Sequence, residues 1–201
     1  LKVNKGLLGG TFDPVHNGHI MIAEEAISRL NLAEVLFVPA GQPWLKGGPI
    51  LAAEHRVQMV RLTVAAHPVF KLSTMEMDRD GPSYAVDTIA ELQDQLGAED
   101  ELFFILGWDS LAELPQWRQP ARLITMCRLA VVPRPGYSLP DIEKLEAILP
   151  RLSQSVILLD KPGVNISATE IRSRVAQGLS IDHLVPEPVD EYIRQHGLFL
   201  P

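Results

Sequence analysis

The chain has 201 residues, 46% of them apolar and 21% charged, a length that fits one globular domain with a large core and leaves two full domains cramped. Eighteen basic residues against 25 acidic ones give a formal net charge of -7, which argues against a partner held through a nucleic-acid backbone but not against one small phosphorylated ligand. No stretch approaches 18 uninterrupted apolar residues, the first residues form no signal-like apolar region, and the single cysteine, Cys127, sits in the run 125–132 that reads as a buried strand. A cytoplasmic protein with no membrane span is therefore expected.

Short apolar, β-branched runs alternate with longer segments of helical period. The predicted strands are 5–8, 35–38, 70–75, 102–106, 129–132 and 156–159. Between them Ile20, Ala23, Ile27 and Leu30 recur at helical steps, as do Val57, Val60 and Val64, and less regularly Val86, Ile89, Gln93 and Leu96. Ser83 is a candidate N-cap for the third helix, and Ser167 with Glu170 forms a capping box. The Gly/Pro-rich stretch 39–49 reads as a loop, and the tail 167–201 as wholly helical. This order predicts an α/β fold, a Rossmann-like doubly wound parallel sheet over 1–201, whose small C-terminal helical appendage is 167–201. Ligands of such sheets bind beyond the carboxyl ends of the strands.

Directly after the first strand comes Gly9-Gly10-Thr11-Phe12-Asp13-Pro14-Val15-His16-Asn17-Gly18-His19, with a helix opening at its end. Glycines admit a phosphate close to the backbone, and a helix N-terminus offers N–H groups and a positive dipole end. The spacing is neither G-x-G-x-x-G nor a Walker loop. His16 and His19, three residues apart, can face one anion. Metal ligation with Asp13 is the weaker rival, since no cysteine or glutamate completes a shell; a cap and a core histidine are the bland one.

Gly9 to His19 resembles the GxFxPxHxGH signature of the nucleotidyltransferase superfamily, and Asn165-Ile166-Ser167-Ala168-Thr169-Glu170-Ile171-Arg172 is similar to its second signature, ISxTxxR. Gly81-Pro82-Ser83-Tyr84 with Thr88, Gly107-Trp108-Asp109-Ser110, Pro115-Gln116-Trp117 and Arg134-Pro135-Gly136-Tyr137 resemble the bacterial nicotinate mononucleotide adenylyltransferases in particular. The resemblance implies adenylyl transfer from ATP, carrying Mg²⁺ on its phosphates, to nicotinate mononucleotide. Deamido-NAD and pyrophosphate would be the products, a step of NAD biosynthesis.

The resemblance also implies the roles. Catalysis would fall to His16, His19 and Arg172. ATP would meet Gly9, Gly10, Thr11, Phe12, Lys46, Asp109, Arg134, Ile166, Ser167 and Thr169 as well. Nicotinate mononucleotide would meet Thr88, Trp117 and Lys46, with backbone N–H groups near Thr88 and at Trp117 receiving the pyridine carboxylate. No protein side chain is assigned to a metal. Each role has a plainer rival: Lys46 a solvated lysine, Asp109 a helix N-cap, Trp117 core filling, Arg134 a solvent-facing cation. Arg56, on the second helix, carries the same ambiguity as Arg134, between contact with the nucleotide and facing water. Relatives commonly carry Pro-Pro-His-Lys where this chain has Pro43-Trp44-Leu45-Lys46. Another adenylyl- or cytidylyltransferase of the superfamily, or a nucleotide-binding module without turnover, are the alternative functions. Partners are small molecules, neither nucleic acid nor membrane, and self-association stays open.

Overall fold

A computed structural model of the chain describes residues 3–44, 48–97, 99–133, 136–160 and 165–201. In chain order it holds β1 (Asn4–Gly10), α1 (Asn17–Leu30), β2 (Glu34–Pro39), α2 (Ala53–Ala65), β3 (Phe70–Leu72), α3 (Ala85–Gln93), β4 (Glu101–Gly107) and α4 (Trp108–Glu113). A short 3₁₀ turn, Leu114–Gln116, leads to α5 (Pro120–Met126), β5 (Arg128–Val132), α6 (Ile142–Ile148), α7 (Leu152–Ser155), β6 (Val156–Leu158), α8 (Ala168–Ala176) and α9 (Glu187–Gln195). The six strands pair in parallel in the order β3-β2-β1-β4-β5-β6, the doubly wound arrangement expected from the alternation of elements.

Successive strand residues point to opposite faces, and here both faces are covered by helices. Leu8, Val35, Phe37, Phe103, Ile105, Ala130 and Val132 pack with Ala23, Met59, Val60, Ile171, Val189 and Ile193 of α1, α2, α8 and α9. Leu7, Val38, Phe104, Leu106, Leu129 and Val131 pack with Val86, Ile89, Leu111, Leu123, Leu145 and Leu152 of α3 to α7. Two covered faces explain why the strands read as nearly continuous apolar runs rather than alternating ones. The chain leaves β1 toward one layer and β4 toward the other, so a crevice opens beyond Gly10 and Gly107.

Several boundaries differ from expectation. β1 continues through Gly9 and Gly10, which pair with Val38 and Pro39, so the turn able to meet a phosphate begins at Thr11. β3 stops at Leu72, and the chain then turns, the Met77 N–H donating to Thr74 O at 2.7 Å. Cys127 is not in a strand but is the C-cap of α5, 7% exposed, and burial pushes its thiol up to about 12. The tail is not wholly helical: α8 ends at Ala176, Gly178 takes a left-handed φ of +70°, and α9 starts only after Pro186, because that glycine conformation and the prolines favour a turn over a continuing helix. Among the described residues no helix is long and apolar enough to cross a membrane.

Candidate active site

The phosphate turn is built on one left-handed residue. Phe12 has φ +50° and only 2% exposure, a conformation that costs a non-glycine residue and persists only where packing holds it. Its ring lies 5.8 Å from Phe37 and, edge-on, 4.9 Å from His19. The Phe12 side chain therefore meets the core and supports His19, which leaves the backbone of Phe12 as its part in the turn.

His16 is the N-cap of α1 and His19 its third residue, and the two rings stack at 3.7 Å with 29° between planes. The His16 backbone N–H donates to Nδ1 of His19 at 3.1 Å. With Nδ1 accepting, the proton of a neutral His19 sits on Nε2, which makes Nε2–H the donating edge. Gly18 is essential to this packing: a Cβ there would stand 2.9 Å from Nδ1 of His16 and 3.6 Å from Cβ of Ile166. The same missing side chain thus lets the second motif close on the first.

From the second motif, Arg172 donates through one terminal nitrogen to the Asp13 carbonyl at 2.7 Å and through the other to Thr169 Oγ1 at 3.4 Å. Ser167 caps α8, its hydroxyl accepting the Glu170 N–H at 3.2 Å. Two helix N-termini, α1 and α8, therefore meet at one turn, with two imidazoles and a guanidinium between them. Asn17 adds a further tie, its backbone N–H donating to Leu184 O at 2.9 Å and its side-chain amide to His183 O at 3.1 Å.

Across the crevice, Asp109 lies in the first turn of α4 behind Gly107, which is the N-cap. Asp109 is thus not the cap that was its rival reading. Trp117 closes the 3₁₀ turn, tilts over Phe104 with 5.9 Å between ring centroids, and has a buried Nε1–H with no hydrogen-bond partner. Its backbone N–H is already given to Leu114 O at 3.0 Å, and that of Thr88 to Tyr84 O at 3.3 Å. These two backbone donors are engaged within their own turns. The Thr88 side chain is 1% exposed and donates to Glu76 Oε1 at 2.6 Å while accepting from Arg79 at 3.1 Å. Thr88 holds the wall of the site rather than facing into it. Glu76 is itself buried, and desolvation raises its pKa, against the opposing pull of hydrogen bonds from Thr88 and Ser83 and of the Arg79 charge. Among the described residues no three His, Cys, Asp or Glu side chains gather to hold a metal ion.

A family model described as cytidylyltransferase-like matches residues 7–174. A protein of Dehalococcoides mccartyi, named "Probable nicotinate-nucleotide adenylyltransferase", is 44% identical over 200 residues, covering 99% of this chain and 98% of that one. One of the same name from a Roseiflexus species is 47% identical over 195 residues, 96% of each chain. The chain belongs to the nicotinate-nucleotide adenylyltransferase family. A Plasmodium falciparum nicotinic acid mononucleotide adenylyltransferase solved in complex with NaAD has the same fold, with a TM-score of 0.78 at 20% identity, over 98% of this chain and 97% of that one.

For a nicotinate-nucleotide adenylyltransferase, the residues singled out by sequence fall into three groups. Thr11, His16, His19, Ile166, Ser167, Thr169 and Arg172 are gathered around one turn. Asp109, Trp117 and Thr88 lie on the β4 and α3 side. Lys46 and Arg134 lie outside the described residues. Three organising residues were missed or left undecided. Ser83 does not cap α3, whose N-cap is Tyr84; its hydroxyl instead accepts the N–H groups of Gly41 at 2.9 Å and Gln42 at 3.2 Å. Glu76 has no sequence signal at all. Arg56 is not solvent-facing: the buried stripe of α2 is Arg56, Met59, Val60 and Thr63, so of the three valines Val60 lies on the stripe while Val57 and Val64 flank it.

Proposed function

We propose that this chain transfers the adenylyl group of MgATP to nicotinate mononucleotide, giving deamido-NAD and pyrophosphate in the cytoplasmic synthesis of NAD. The observation that carries the reading is the convergence of His16, His19 and Arg172 on one turn between two helix N-termini. The near full-length likeness to nicotinate-nucleotide adenylyltransferases supplies the substrate. The lone buried Cys127 suits a reducing compartment.

The nucleophile in this reaction is already an anionic phosphate oxygen, so no general base is needed. That oxygen bonds to the α-phosphorus of ATP while the bond from that phosphorus to the bridging α,β-oxygen breaks, and the electron pair leaves with pyrophosphate. Catalysis reduces to alignment and charge stabilisation. In our reading Thr11, His16 and the Nε2–H of His19 meet the α-phosphoryl oxygens. Ser167, Thr169 and Arg172 meet the outer phosphates, with Gly9, Gly10 and Ile166 shaping the approach. Asp109 accepts from ribose hydroxyls, and Lys46 and Arg134 supply further positive charge. Magnesium enters with ATP as part of the substrate. The indole of Trp117 stacks on the pyridine ring.

The test is to incubate the protein with ATP, Mg²⁺ and either nicotinate or nicotinamide mononucleotide, following pyrophosphate. We expect the acid to be preferred by about a hundredfold in kcat/KM, about 2.8 kcal/mol on the usual scale of about 1.4 kcal/mol per tenfold. Equal use of both would overturn the acid specificity, and pyrophosphate release with neither would overturn adenylyl transfer to a pyridine mononucleotide.

A further inference from the structure

Among the described residues Arg56 is one of the largest fully buried side chains, at 2% exposure, yet it carries a cation. A guanidinium is costly to bury unless its donors are satisfied and its charge is opposed. Here Nε donates to Leu51 O at 3.0 Å, one terminal nitrogen donates to both Thr11 O and Ala40 O at 2.8 Å, and the other reaches Gly41 O at 3.4 Å. The carboxylates of Asp13 and Glu54 oppose its charge, while desolvation is the larger influence and lowers its pKa.

What distinguishes this cation is where its acceptors lie. Ala40, Gly41 and Leu51 are the two ends of the connection between β2 and α2, and Thr11 is the first residue of the phosphate turn. One side chain from α2 therefore fastens both ends of one loop to the turn of its neighbour. In a trans peptide the C=O and N–H point in opposite directions. With the Thr11 carbonyl drawn to Arg56, the N–H of Phe12 is directed away from the guanidinium, at the residue that holds the left-handed φ of +50°. Gly41 is pinned from the other side as well: its N–H goes to Ser83, and a Cβ there would collide with the Glu76 carbonyl.

We propose that Arg56 is a positioning residue for adenylyl transfer, which holds the peptide planes of the phosphate turn and of the adjoining β2–α2 connection in their reactive arrangement without touching substrate. The proposal rests on the transfer reading above. A residue that only filled the core would need neither the fork nor the charge.

The experiment compares the parent with Arg56→Lys, which keeps the charge but loses the fork, and with Arg56→Ala assayed with and without ethylguanidinium. Thermal unfolding, kcat, KM for ATP and amide hydrogen exchange are measured on each. We expect Arg56→Lys to lose about tenfold to a hundredfold in kcat, the size of effect that a small misplacement produces. KM for ATP should change much less, and faster exchange should be confined to residues 9–13 and 40–42. Ethylguanidinium should restore kcat to Arg56→Ala beyond any gain in the folded fraction. A variant that melts earlier but turns over at the parental rate per folded molecule would overturn the proposal, as would rescue that tracks the folded fraction alone, or variants that do not fold even with ethylguanidinium. A silent parent would overturn the transfer reading together with this proposal, whereas an active parent beside an equally active Arg56→Lys overturns the proposal alone.

Discussion

On the β1 side of the crevice, side chains hold backbone: Arg172 donates to the Asp13 carbonyl at 2.7 Å and Arg56 to the Thr11 carbonyl at 2.8 Å. On the α3 side, side chains hold side chains. Thr88 is fixed between Glu76 at 2.6 Å and Arg79 at 3.1 Å, and Arg79 in turn pairs with Glu91 at 2.5 Å. The difference has a physical consequence. Peptide carbonyls do not titrate, and guanidinium groups stay charged across the working range, so these two arginine ties to the phosphate turn do not depend on pH. The other wall depends on a buried carboxylate, whose charge is the costly form there.

The comparison is tested most severely at His19. Its Nε2–H is the donor that the backbone of His16 leaves aimed, so His19→Ala should lower kcat by about 10²–10³, the usual cost of removing one donor from a developing charge. KM for ATP should move far less. Steady-state kinetics with circular dichroism as a fold check decide this, and an effect confined to KM would make His19 a simple binder. Arg172→Lys comes next. The guanidinium spans the Asp13 carbonyl and Thr169 from two nitrogens, a fork that one ammonium cannot reproduce. Losing one charged hydrogen bond of about 1.5–3 kcal/mol should reduce kcat/KM by about tenfold to a hundredfold. A lysine variant as active as the parent would show that the second motif does not need its tie to the first.

The fold and the phosphate wall were legible because both follow from short-range patterns. Strand positions followed from apolar runs, and the histidine pair with its glycine from spacing along one helix turn. What was not legible came from chain segments meeting across the sheet. No local pattern announces that Ser83 would bind the backbone of Gly41 rather than cap its own helix, or that Glu76 would lie against Thr88, twelve residues on. The undecided reading of Arg56 has a plain cause: Val57, Val60 and Val64 are the evident apolar residues of α2, while Arg56 occupies a core position that only its four carbonyl partners explain. The backbone N–H groups of Thr88 and Trp117 close local turns of their own, which no apolar pattern reveals.

The smallest expected effect belongs to the titrating wall, and it concerns stability. Burial raises the Glu76 pKa above its ordinary value of 4.5, so between that value and the raised one the folded protein binds more protons than the unfolded chain. Stability linked to this group is then fully present below the ordinary value and is lost as pH rises through the folded one. Glu76→Gln keeps an oxygen to accept the Thr88 hydroxyl but cannot ionise, so the loss with rising pH should vanish in the variant. Other carboxylates slope the opposite way: hydrogen bonds from backbone N–H groups hold Asp100, Asp141 and Glu146 below their ordinary values, so their contribution is lost as pH falls. Those slopes are common to parent and variant and cancel in the difference. The melting temperature of Glu76→Gln relative to the parent should therefore climb as pH is raised from 4 toward 8. A change of about 1 kcal/mol would appear as about 2–4 °C in a chain this long. A difference that stays flat with pH would mean that Glu76 is already ionised in the fold at no cost, and that the α3 wall is as indifferent to protons as the arginine ties that hold the phosphate turn.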